Sequence, residues 1–222
     1  MSGQRAINNN SLSHLIAEKI AEQIMSGELA PGEKIIETTY AEEYGTSRAP
    51  VREALYLLTI EGLIERIPRK GAAVKGYTEA EVYDLLEIRM RLEELAMERI
   101  AAMGVDTSLL NKMDDLVTQM EQAEQDDKTY AELNREYHFC IIEMTQSEII
   151  KNMYGRLGLP LLSLQRMSFA EEKNIVKSVR EHLKINTLLR DNKVNEAKDI
   201  LKDHNQSVIE RVRARLFHME KQ

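Results

Sequence analysis

The chain has 222 residues, 43% of them hydrophobic and 30% charged, with a formal net charge of −7. That length fits one large domain or two small ones and can bury a core without disulfide or metal staples. One cysteine, Cys140, excludes a disulfide framework and a four-cysteine zinc site, while four Pro, ten Gly and no Trp favour helices over a sandwich or barrel. The opening MSGQRAINNN lacks the apolar stretch of a secretory signal, and no run approaches about 18 apolar residues. A cytoplasmic protein with no membrane span is therefore expected.

Residues 1–10 read as a disordered arm. Asn10 or Ser11 then caps a helix whose apolar positions Leu15, Ile16, Ile20 and Ile24 follow helical spacing, and Gly27 ends it. Ala30-Pro31-Gly32 is a turn. A short helix is expected over 37–44, stopped by Gly45. Ser47 caps a third helix, with Pro50 in its first turn and Val51, Leu55 and Leu58 on one face, ending at Gly62. Leu63–Ile67 and Ala72–Gly76 are short and β-compatible, and Pro68-Arg69-Lys70-Gly71 between them reads as a hairpin tip. This is the element order of a winged helix-turn-helix.

A boundary falls near Gly76–Tyr77, giving domains 1–76 and 77–222. Thr78 and Glu81 form a capping box. Helices are expected over 79–103, 107–125, 128–146, 148–167, 175–191 and 194–219, with Pro160 kinking or interrupting the fourth. Their amphipathic pattern predicts an antiparallel bundle of about six helices, so the fold class is mainly α.

The charge is uneven. Thr46 to Lys75 holds six basic and three acidic residues, whereas Ser11 to Gly45 holds two Lys and seven Glu. An electrostatic footprint for nucleic acid is thus local.

The stretch GELAPGEKIIETTYAEEYGTSRAPVREALYLLTIEGLIERIPRKGAAV resembles the DNA-binding pattern of the GntR family of bacterial transcription regulators. Ser47-Arg48, Pro50-Val51-Arg52-Glu53-Ala54-Leu55, Glu61-Gly62-Leu63 and Gly71 carry most of the match. The second region resembles the all-helical, FCD-type effector domain of the FadR subfamily. Glu87-Ile88-Arg89, Leu92-Glu93, Asn134, His138, Glu181-His182 and His204 carry that likeness.

A recognition helix places first-turn side chains on base edges in the major groove. Arg48 and Arg52 are four apart and share a face, and Arg bonds bidentately to guanine O6 and N7. Thr46, Ser47 and the helix N-terminus suit phosphate, and Lys70 at the hairpin tip would reach phosphate or the minor groove. The resemblance implies that Arg48, Arg52 and the wing around Gly71 contact DNA, with Pro50 inside the same motif. Many relatives carry a basic residue where this chain has Thr38.

Five histidines occur, and Asn134 and His138 share a helix face. From spacing alone, surface or satisfied core histidines are the commoner case. The resemblance implies more: its metal-binding members carry Asp or Asn, then His at the fourth position, then two further His. Here those positions are Asn134, His138, His182 and His204. Such a set suits a divalent metal ion, zinc first, with nickel or manganese as alternatives. An amide at 134 in place of the commoner Asp brings no charge and holds a dication less tightly. Arg89 matches a position that could pair with an effector carboxylate; the alternative is a salt bridge to Glu93 at helical spacing. Tyr137 and Arg135 are expected to point away from the ligands. Cys140 reads as a buried apolar residue, and His14 and His218 carry no assigned role.

The expectation is a ligand-responsive repressor that binds a palindromic DNA operator as a homodimer and is released by a small carboxylate. The rival is a hydrolytic enzyme built on three histidines, although no HExxH, GxSxG or phosphate loop occurs. A third reading keeps the regulator and makes the metal purely structural.

Overall fold

The computed structural model describes residues 12–67, 71–123, 126–158, 168–169 and 171–217. The chain divides into two compact units, Met1–Gly76 and Tyr77–Gln222. The expected N-terminal arm, its capping residue, Lys70 and Pro160 lie outside the described residues.

In the first unit, α1 (Leu12–Ser26) packs against α3 (Arg48–Ile60), and α2 (Glu37–Glu43) also rests on α3. Ile16, Ile20, Val51, Ala54, Leu55 and Leu58 are buried at helical spacing and form the core. Leu15 belongs to the expected apolar face but is 45% exposed; the small Ala17 and Ala21 are buried beside Ile16 and Ile20 instead. The α2–α3 turn is tight. Gly45 has φ +60°, and the next amide, of Thr46, donates back to the Ala41 carbonyl at 2.9 Å. A side chain at 45 would strain that left-handed backbone. Ser47 occupies the N-cap of α3, but its hydroxyl makes no capping bond.

Two strands are expected, and among the described residues there are three: β1 (Lys34–Ile35), β2 (Ile64–Ile67) and β3 (Gly71–Val74), antiparallel in the order β1-β3-β2. Ala73 faces Lys34 on one side and Glu65 on the other. Two residues are too few to show period-2 alternation, which is why β1 has no sequence signature.

The second unit is helical: α4 (Glu79–Met103), α5 (Thr107–Gln122), α6 (Asp127–Glu143), α7 (Glu148–Gly155), α8 (Glu172–Arg190) and α9 (Val194–Phe217). The Thr78–Glu81 capping box opens α4, and Asp106, Asp126 and Ser147 cap the next three helices through their side chains. The helix expected over 148–167 is regular only to Gly155, where Arg156 and Leu157 close it with a turn; 159–167 lie outside the described residues. α5 packs on α6 and α8, while α9 packs on α4 and α8 and α4 also meets α6. No described helix is long and apolar enough to cross a membrane.

Candidate functional site

The DNA-facing residues proposed for the first unit gather where α2 turns into α3. Ser47, Arg48 and Arg52 are exposed, and Thr46 and Pro50 are half-buried. Thr38, Glu42, Thr46, Ser47 and Arg48 line a shallow groove of about 400 Å³ at the N-terminus of α3. The Ser47 hydroxyl is free of capping duty, and Arg48 makes no hydrogen bond or ion pair among the described residues. Arg52 is engaged: its guanidinium donates to the Glu37 carboxylate at 3.0–3.3 Å. That bond, with the Arg52 charge, holds the Glu37 carboxyl below its usual range. Gly71 opens β3 with φ +93° and its position is exposed.

In the second unit, three helices direct histidine and amide side chains into one buried site. α6 supplies Asn134 and His138 from one face, α8 supplies His182, and α9 supplies His204 and Asn205; all are buried. The ring centroids lie 5.3 Å (138–182), 5.3 Å (138–204) and 4.7 Å (182–204) apart. One ligand nitrogen from each histidine falls within 4.8 Å of the others. Burial pushes all three imidazoles below their ordinary value, His182 and His204 furthest, so each is neutral and able to ligate at pH 7.

Two of the histidines are oriented by carboxylates. His138 Nδ1 meets Glu93 Oε2 at 3.1 Å, and His204 Nδ1 meets Glu181 Oε2 at 2.8 Å. An ionised carboxylate only accepts, so those partners assign the proton to Nδ1 and leave Nε2 as a bare lone pair. Neither Nε2 atom has a hydrogen-bond partner among the described residues. A metal-ligating histidine is held in this way, with its other nitrogen donating to a carboxylate. The Asn134 amide oxygen and nitrogen, one turn before His138, are also buried with no hydrogen-bond partner among the described residues.

Glu93 was expected only as an alternative partner for Arg89. It is the hub of the site. Its Oε1 accepts from Arg89 Nε at 2.8 Å and Tyr154 at 2.6 Å; its Oε2 accepts from Asn205 Nδ2 at 2.6 Å as well as facing His138. Burial acts to raise its pKa, but Arg89 and His138 outweigh it and keep the carboxyl well below 4.5. Arg89 therefore forms the alternative salt bridge, buried on both sides, yet among the described residues one of its terminal nitrogens has no hydrogen-bond partner, and neither does Asn205 Oδ1. The pattern of α4 contains the clue. Buried Val82, Leu86, Met90, Met97 and Ile100 define its apolar stripe, and Arg89 and Glu93 fall within it. Charges on a buried stripe must be paired.

Tyr137 also departs from expectation. It does not point away: its ring stacks on His182 at 4.1 Å between centroids. Arg135 is exposed. Cys140 is buried outside the histidine cluster, its thiol pushed up to about 11 by burial.

The sequence model of the gntR family of bacterial regulatory proteins matches residues 12–74, and that of the FCD domain matches 84–207. The Nta operon transcriptional regulator of Aminobacter aminovorans is 28% identical, with 82% of this chain and 85% of that protein covered. The gluconate operon transcriptional repressor of Bacillus subtilis is 36% identical, over 41% of this chain and 37% of its own. A crystal structure of a GntR regulator from Rhodococcus sp. RHA1 has the same fold, with a TM-score of 0.76 at 18% identity, over 91% of this chain and 98% of that one.

Proposed function

This chain belongs to the GntR family of bacterial regulatory proteins with an FCD domain, and from that premise we propose that it is a ligand-responsive transcriptional repressor. It acts as a homodimer on a palindromic operator and releases it when a small carboxylate enters the helical unit. A regulator family leaves no ground for the hydrolytic alternative.

Arg48 and Arg52 read guanine edges, Thr46 and Ser47 hold phosphate at the N-terminus of α3 with Pro50 in its first turn, and the wing at Lys70 and Gly71 meets the backbone or minor groove. Asn134, His138, His182 and His204 hold a divalent ion, with zinc favoured over nickel or manganese by the three imidazoles. When bound, the ion supplies a Lewis-acidic anchor for an effector oxygen. Glu93 and Glu181 keep two imidazoles in the ligating tautomer. The spare Arg89 nitrogen donates to the effector carboxylate, and Asn205 Oδ1 accepts from an effector hydroxyl.

The observation that carries this reading is the collection of buried polar atoms without hydrogen-bond partners, among the described residues, around three convergent histidines. Buried polar groups in a merely structural core are satisfied. The test is a footprint on DNA upstream of the protein's own and neighbouring genes, with and without zinc. A palindromic protected site is expected, and His138→Ala should abolish effector release while leaving the footprint in place. A His138→Ala variant that binds DNA and still responds to effector overturns the sensing role; one that unfolds makes the metal structural.

A further inference from the structure

His182 is the exception among the three histidines. His138 and His204 each face a carboxylate, but neither nitrogen of His182 has a hydrogen-bond partner among the described residues. Its ring lies instead on Tyr137, with planes 29° apart. The Tyr137 hydroxyl is anchored: it donates to Asn186 Oδ1 at 2.8 Å and comes within 3.2 Å of the His182 carbonyl. Asn186 Nδ2 in turn donates to Asp114 Oδ1 at 2.8 Å, and Arg190 pairs with Asp114 on the outer side. His182, Asn186 and Arg190 follow at four-residue steps along one face of α8. A polar line thus runs from the exposed α5–α8 seam to the flat face of His182.

An apolar pair could fill the space of Tyr137 and Asn186 without the desolvation cost of two buried polar groups. The polar pair adds a fixed plane. A Tyr held at its hydroxyl and wedged by its ring cannot tilt, so the imidazole on it is confined about its otherwise broad χ2. We infer that Tyr137 and Asn186 are positioning residues for His182, doing by stacking what Glu93 and Glu181 do by hydrogen bonding for the other two. The inference rests on the metal reading of this site.

The test uses the full-length protein stripped of metal, with Zn²⁺ affinity measured by competition with a chromophoric chelator. Tyr137→Phe keeps the ring and loses the anchor, and Asn186→Ala removes the acceptor. Each should weaken Zn²⁺ binding about tenfold or more, the scale of lost outer partners of metal ligands. Co²⁺ absorption should change in band position, reporting ligand geometry. Tyr137→Leu, which also removes the stack, should weaken binding further; if it does not fold, the first two variants carry the test. Melting of the metal-free proteins separates the alternatives, because a merely structural role lowers the melting temperature and leaves Zn²⁺ affinity and the Co²⁺ bands unchanged. That result overturns the positioning role alone. Wild-type protein that takes up no Zn²⁺ overturns the metal reading, and this inference with it.

Discussion

The two units carry their polar chemistry in opposite ways. Around the N-terminus of α3, Ser47, Arg48 and Arg52 are exposed, close in sequence and lightly bonded, with Arg48 making no hydrogen bond among the described residues and Arg52 on one carboxylate. In the helical unit the three histidines, Asn134, Asn205 and the Arg89–Glu93 pair are buried, and the Glu93 hub joins residues up to 112 positions apart. An exposed cation is solvated whether or not it has a partner, so it can wait for DNA at little cost. A buried charge has no such alternative, and removing one member strands the rest. Mutations in the first unit should therefore change binding without changing folding. Removing a buried charge from the second should cost stability.

The sharpest test of that contrast is Glu93→Ala. It strands the buried Arg89 guanidinium and frees His138 and Asn205, so the metal-free protein should lose about 3–5 kcal/mol by chemical denaturation. A loss near zero would mean that water enters the site and the contrast is false. The pH dependence comes next. Burial holds the three histidines below the ordinary imidazole value, so the unfolded chain takes up protons first as pH falls. Stability of the metal-free protein should be full above about pH 6.5 and fall below it, by up to about 1.4 kcal/mol per pH unit for each imidazole. Denaturation curves that coincide at pH 7 and pH 5.5 would contradict buried, neutral rings.

Smaller effects are expected in the first unit. Arg52→Ala should weaken specific operator binding about tenfold in a gel-shift titration while the melting temperature holds. Unchanged affinity would remove Arg52 from the reading face. Glu37→Gln should do least, leaving stability unchanged because the pair it breaks is on the surface. A clear drop in melting temperature would show that this ion pair behaves like the buried ones.

The same contrast governs what the sequence makes legible. The order of helices, the tight turn at Gly45 and the Arg48–Arg52 face are local features, and short-range spacing is what a sequence displays directly. The capping box at Thr78 is equally local. His182 and His204 could be placed on their helices, but their convergence on His138 is a product of bundle packing and was approachable only through resemblance. The polar support was least visible. Glu181 precedes His182 and Asn205 follows His204 in the chain, yet Glu181 closes on His204 and Asn205 on Glu93, and nothing in spacing tells that. Tyr137 shows the same limit: adjacency to His138 says it leaves that ligand's face, not that it arrives at another's. Arg89 and Glu93 alone were readable, as charges on an apolar stripe.

Cys140 gives the protein a built-in clock. Its thiol sits fully buried in the helical core, where burial pushes it up to about 11, so the native state resists thiol reagents at neutral pH. Labelling then proceeds only through molecules that have opened, and the reaction rate divided by that of a free thiol measures the open fraction. With a single cysteine in the chain, every modified molecule reports the same event. Anything that tightens the bundle around its centre will slow that clock, whether or not its identity is known.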